Sequence, residues 1–184
     1  MRDLAANNTA FAVDLYHQLR TAEGNLFFSP YSISTALAMT YAGARGNTEA
    51  QMARGLHFDL DHLTQEALHS AFAALEEHMA QVQGKGDVAL HVANSLWPQA
   101  GYACLAAFLD RCRRCYGVTI TSVDYAADTE SARQQINAWV EEKTRDKIKE
   151  LLKPPHVTHW TTMILVNAIY FKVNWDSQFD KRRN

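Results

Sequence analysis

Cys112 and Cys115 stand as a C-x-x-C inside FLDRCRRCYG, with Arg113 and Arg114 between them. That spacing suits thiol–disulfide chemistry, in which neighbouring cations lower the pKa of an attacking thiol. A thiol enzyme built on it would show disulfide reductase activity. Two features oppose that reading. The motif falls inside a helical pattern, and no second C-x-x-C completes a zinc site. Short motifs of this kind recur by chance, so these read as ordinary helix cysteines. With Cys104 the count is three, an odd number that is not a complete disulfide framework.

Other candidate groups are as weak. His156 and His159 are three apart, but they follow Pro154-Pro155 in a loop with no carboxylate or thiol nearby, which reads as a solvated loop rather than a ligand pair. His57, His62, His69 and His78 are scattered through what reads as acidic helical surface, and Glu141-Glu142 reads as a solvated helix face. No G-x-S-x-G elbow, helical H-E-x-x-H or glycine-rich phosphate loop occurs. The expectation is a protein that is not an enzyme and takes no metal or cofactor.

More informative are polar residues in apolar places. Asn167 interrupts TMILVNAIYFKVNW, residues 162–175, which otherwise reads as a strand apolar on both faces. Ser29 and Ser32 open SPYSISTALAMTY, a helix apolar nearly all round. A buried amide costs several kcal/mol unless it is hydrogen-bonded, so Asn167 should have partners. In one reading Ser29 merely caps and Asn167 marks a bulge or an edge. In the other, a serine hydroxyl and the Asn167 amide meet beneath the sheet as a polar latch, suited to a sheet that must sometimes open.

The elements that position these residues follow from local signals. At 184 residues, 47% hydrophobic and 21% charged, the chain is an ordinary globular mixture with a prior of one domain over residues 1–184. A net charge of −2 and a pI near 6.4 argue against a nucleic-acid or membrane-surface partner. No apolar run reaches about 18 residues, so no spanning helix is expected. MRDLAANNTAF lacks a signal-peptide stretch, which fits a cytoplasmic protein or a trimmed mature start.

Leu4, Phe11, Leu15 and Leu19 make the stripe of a first helix with Asp3 as its cap. NLFF reads as a short buried strand. Ser29 before Pro30 is a strong helix start. Thr48 to Gln51 reads as a capping box for a short helix ending near Gly55. Thr64 begins another helix, running to about Val82, and Gly84-Lys85-Gly86 is a turn. Asp87 to Trp97 alternates as a strand, with Val88, Leu90, Val92 and Leu96 on one face and His91 and Ser95 on the other. A helix from about Tyr102 to Tyr116 closes at Gly117. VTITSVDY reads as a strand, and Asp128 caps a helix whose apolar face is Ile136, Trp139 and Val140. KIKELL reads as a short helical tag. Helices and strands do not strictly alternate, which points to α+β with helices stacked on a sheet.

FFSPYSISTALAMTYAGARGNTEAQM, VANSLW, FLDRCRRCYGVTITSVDY, ARQQINAWVEEKTRDKIKELL and ILVNAIYFKVNWDSQFD follow one another in an order and spacing that resemble the serpins. The resemblance runs over essentially the whole chain. It implies helices packed on a large central sheet that is incomplete in this chain, which corresponds to about the first half of the family fold. On it, the strand at residues 162–175 has its neighbour much later in the sequence, so its partner is expected in another polypeptide or a missing segment.

The resemblance also implies a function. In serpins a target serine protease cleaves an exposed reactive loop and is trapped as an acyl-enzyme while the loop inserts as a strand into the sheet. A cysteine protease is a second target class. The bait lies outside this chain, and an inhibitory or a non-inhibitory serpin-fold protein are both open. Ser29, Ser32 and Asn167 correspond to the shutter, where the sheet parts. Trp175, with Val173, corresponds to the breach, where insertion starts, and Ile136 and Trp139 lie on the helix that crosses the sheet. The family carries glycine where this chain has Val173 and Asp146. A β-branched residue at φ > 0 would be strained, which sets inhibitory competence in question. The helix TQEALHSAFAALEEHMAQV carries glutamates rather than a basic stripe, so heparin is not expected as a partner. The family resemblance points to an extracellular, secreted protein. A long apolar strand with an open edge is expected to associate edge to edge.

Overall fold

Met163–Val173 (β3) pairs antiparallel with Val88–Pro98 (β1) along its whole length, from Val88 opposite Val173 to Pro98 opposite Met163. The structure, a computed structural model, describes residues 2–58, 64–83 and 88–173. On its other edge β1 pairs in parallel with Thr119–Ile120 (β2), and the strand order is β2-β1-β3. The expectation that β3 has its partner elsewhere is therefore corrected for one edge. An earlier strand of the same chain fills it. The other edge of β3 has no ladder partner among the described residues.

Six α-helices accompany this sheet among the described residues: Arg2–Leu19 (α1), Pro30–Tyr41 (α2), Gly46–Gly55 (α3), Gln65–Gln83 (α4), Ala106–Tyr116 (α5) and Thr129–Lys143 (α6). Several starts and stops follow local chemistry. The Ser29 hydroxyl accepts from the Ser32 N–H at 3.3 Å with Pro30 at the first helical position, and Asp128 Oδ1 accepts from the Ser131 N–H at 2.9 Å. Gly117 closes α5 at φ +58. Thr64 Oγ1 accepts from the Ala67 N–H at the start of α4.

Five local expectations give way to tertiary context. NLFF is not a strand: no ladder reaches it among the described residues, and Phe27 is 82% exposed. KIKELL is not a helix, because its end is hydrogen-bonded to α6 instead. Leu152 N–H donates to Asn137 Oδ1, and Leu152 O accepts from Asn137 Nδ2 and Arg133 Nη1. The Thr48 capping box is absent, since α3 begins two residues earlier at Gly46. α1 likewise begins at Arg2, ahead of Asp3. VTITSVDY contributes only the two residues of β2 and a bridge from Val123 to Gln99.

The sheet is covered on both faces. On one, Leu96, Met163 and Leu165 pack into a core built from α1, α2, α4 and α5, around Met39, Tyr41, Leu68, Phe72 and Tyr116. On the other, Trp97, Ile164 and Val166 pack against Ile136, Val140 and Trp139 of α6. Two-sided covering buries both alternation faces of β1 over Asn94 to Pro98, Ser95 included.

Candidate functional site

Register places Asn94 of β1 directly opposite Asn167 of β3. On the α2 side of the sheet, the Ser32 hydroxyl donates to Asn167 Oδ1 at 2.6 Å, and Asn167 Nδ2 donates to Asn94 Oδ1 at 2.8 Å. The Ser29–Pro30 start aims the first turn of α2 at the sheet, which brings Ser32 down onto β3. Ser32 and Asn94 are almost fully buried. One helix and two strands thus meet in a chain of neutral hydrogen bonds.

Of the two serines singled out by sequence, Ser32 joins this chain and Ser29 does not; its hydroxyl serves as the cap. Asn94 was missed. Its signal lies in VANSLW, where an amide falls on the same alternation face as Val92 and Leu96, as anomalous there as Asn167 is in β3.

The residues of the crossing helix also take definite places. Ile136 is fully buried against the sheet, and Trp139 meets Trp97 edge to face at 6.3 Å between ring centroids. Val173 is 42% exposed at the end of β3 and continues the ladder opposite Val88. It is not among the residues with positive φ, so the strain considered for it does not arise. Trp175 lies outside the described residues.

The other glycine-type position behaves differently. Arg145 and Asp146 both lie in the left-handed region, at φ +50 and +60. They end α6 in a Schellman arrangement: Asp146 N–H donates to Glu141 O and Arg145 N–H to Glu142 O. From that turn the Arg145 guanidinium reaches the sheet, 5.0 Å from the centre of the Tyr170 ring and with Nη2 3.0 Å from His91 Nε2.

The thiols are poor candidates for chemistry. Cys112 and Cys115 are buried and free, and burial pushes Cys112 up to about 11 and Cys115 above the ordinary thiol range. A thiol held protonated is a poor nucleophile, which is the opposite of what a redox C-x-x-C requires.

His69 corrects another expectation. It is not on a solvated surface but 1% exposed in the core, where Nδ1 pairs with the Tyr116 hydroxyl at 2.5 Å. Burial, with Arg111 and Arg45 adding to it, drives its pKa down to about 4. Its Nε2 has no partner among the described residues. The remaining histidines lie at the surface or outside the described residues. His57 pairs with Asp14 at 2.7 Å, His78 is exposed, His156 closes a short turn onto the Lys153 N–H, His159 lies against Trp160, and His62 is outside them. Glu141 and Glu142 pair with Lys149 and Lys143.

Comparison with known proteins bears on the chain as a whole. The family profile described as Serpin (serine protease inhibitor) matches residues 6–184. The chain is 44% identical over 181 residues to the leukocyte elastase inhibitor of Sus scrofa, covering 97% of this chain and 46% of that protein. It is 43% identical over 173 residues to Iris of Ixodes ricinus, covering 92% and 44%. Among solved structures, ovalbumin from emu superposes with a TM-score of 0.88 at 29% identity, covering 97% of this chain and 49% of that one. The chain spans about half the length of the curated relatives it matches.

Proposed function

Because the chain belongs to the serpin family, we propose that it supplies the sheet-opening part of a serine protease inhibitor that works by loop insertion. The observation that carries this is the state of β3. It is paired along one edge for eleven residues and has no ladder partner on the other among the described residues. A free edge of that length offers main-chain hydrogen bonds to an entering strand. Ser32, Asn167 and Asn94 tie β3 to α2 and β1 at the middle of its length. A sheet so tied parts beyond β3, not between β3 and β1, and the entering strand is received there.

In this reading Ser32 and Asn167, with Asn94 added, act as the shutter, and Ser29 contributes by capping the helix that carries Ser32. Val173 and Trp175 mark the breach end of β3. Ile136 and Trp139 hold the helix that must yield. None of them does covalent chemistry; the protease supplies the nucleophile and the inserted strand traps the acyl-enzyme. The target class is an elastase-type serine protease, after the relatives named leukocyte elastase inhibitor. The reactive loop and the rest of the sheet come from a further segment or second polypeptide of comparable length. Heparin is not a partner, because α4 carries Glu66, Glu76 and Glu77 and no Lys or Arg. Three free thiols favour a reducing compartment over the extracellular one that the family resemblance implied.

The test is a chimera in which residues 1–184 are joined to the C-terminal remainder of the porcine inhibitor and incubated with elastase. An SDS-stable complex of inhibitor and protease is the expected result. The 184-residue chain alone should give none, since it carries no bait loop in this reading. Cleavage of the chimera without a stable complex would overturn inhibition. It would favour the second reading, a non-inhibitory serpin-fold binding protein, which the left-handed Arg145-Asp146 turn favours by placing two side chains where glycine is the easy choice.

A further inference from the structure

We infer that Arg145 is a positioning residue that clamps the C-terminal end of α6 onto the sheet through a neutral His91, so that acidification releases that end. Three independent features converge on this residue. The first is backbone strain. Arg145 occupies the C′ position of the Schellman turn in left-handed conformation, where a side chain is disfavoured and glycine is usual. Strain retained at such a position needs a compensating interaction.

The second is where the side chain goes. From the end of α6 it crosses to both long strands, lying over Tyr170 of β3 at 5.0 Å and meeting His91 of β1 at 3.0 Å. His91 and Tyr170 are themselves opposite one another in the ladder, with ring centroids 6.0 Å apart. One guanidinium therefore spans the pair of strands that the helix covers.

The third is the chemistry of the contact. A guanidinium only donates, so His91 Nε2 must accept and the ring must be neutral, with its proton on Nδ1. A proton taken up at Nε2 removes the acceptor and sets an imidazolium against a guanidinium. Histidine is the side chain that ordinarily changes charge between about pH 5 and 8. The other charged or titratable groups lining the same cleft are otherwise engaged. Glu142 and Lys143 pair with each other at 2.7 Å, Glu76 accepts from the Tyr31 hydroxyl at 2.6 Å, and the Tyr116 hydroxyl faces His69. Lys172, on the same sheet face one pair further along the ladder, adds positive charge, and Arg145 at 3.0 Å is the charge in direct contact with His91.

That this docking restrains sheet opening rests on the inhibitor reading above; the docking itself does not. The experiment is amide hydrogen exchange of the 184-residue chain, read by mass spectrometry over residues 139–146 and corrected for intrinsic rates. In the wild type, protection of this segment should fall about five-fold more than that of α2 between about pH 8 and about pH 5.5. His91→Gln, which keeps an acceptor but cannot gain a proton, should remove the extra fall. Arg145→Gln should show the low protection at both pH values, and Arg145→Lys should restore part of the pH response through its remaining cation. Global destabilisation from His69 would act equally in all variants. A full pH response in His91→Gln, or wild-type protection in Arg145→Gln at about pH 8, would overturn the clamp. A flat response together with a working chimera sinks the clamp alone; an intact response with a chimera that forms no complex sinks the inhibitor reading alone.

Discussion

The two faces of the sheet are held by opposite kinds of polar contact. Beneath it, toward α2, the Ser32–Asn167–Asn94 chain is neutral and runs between two buried ends, Ser32 and Asn94, through a half-buried Asn167. Above it, toward α6, Arg145 reaches His91 and Tyr170 at the surface, with a cation and a titratable ring. A buried neutral hydrogen-bond chain is stiff and indifferent to pH, because each atom would be costly to leave unpaired. An exposed contact to a cation is weaker and screened, but it can be switched by a proton. The comparison teaches that the α2 face is joined to the sheet by contacts without charge, while the end of α6 is joined to it by contacts that carry charge.

The sharpest way to break that contrast is to force charge into the α2 side. His69 is held neutral there by burial, with a folded pKa of about 4 against 6.5 in the unfolded chain. The unfolded state therefore binds the extra proton first as pH falls. Stability is fully present above about pH 6.5 and is lost progressively down to about pH 4, by about 3 kcal/mol in total. Urea denaturation at a series of pH values should show this slope, and His69→Phe should flatten it. A wild-type curve without slope in that window would contradict the burial of a neutral ring.

A smaller effect tests the latch directly. Asn167→Ala leaves the Ser32 hydroxyl and Asn94 Oδ1 without their partners, which should cost roughly 2 to 3 kcal/mol at every pH. The cost should not change between about pH 5 and 8, since no member of the chain titrates there. A pH-dependent cost, or none, would remove the distinction between the two faces.

The smallest effect belongs to the α6 turn. Asp146→Gly relieves a left-handed residue whose side chain has no hydrogen bond among the described residues, and should stabilise the chain by up to about 1 kcal/mol. Thermal unfolding would register it as a rise in Tm. A loss of stability would mean that the Asp146 side chain is itself part of what holds α6 down.

Short-range signals were legible wherever one or two residues decide a backbone conformation. Ser29-Pro30, Asp128 and Gly117 mark helix ends because a hydroxyl, a carboxylate or a missing Cβ acts within three residues of itself. The alternation of residues 87–97 and the apolar run at 162–175 identified the two long strands for the same local reason. Asn167 stood out because an amide in such a strand must find partners. The order and spacing of the motifs carried the family, and with it the fold.

What only the tertiary structure decided depends on groups distant in sequence. Whether NLFF is a strand turns on a partner for its ladder, and whether KIKELL is a helix turns on Asn137 and Arg133 competing for the Leu152 backbone. His69 looks like any surface histidine until α5 brings the Tyr116 hydroxyl to it. Asn94 joins Asn167 across 73 residues, and Arg145 meets His91 across 54, by register and helix placement. Local sequence sets which conformations each segment can adopt. Packing selects among them, because burial and unpaired hydrogen-bonding groups are counted only when distant segments meet.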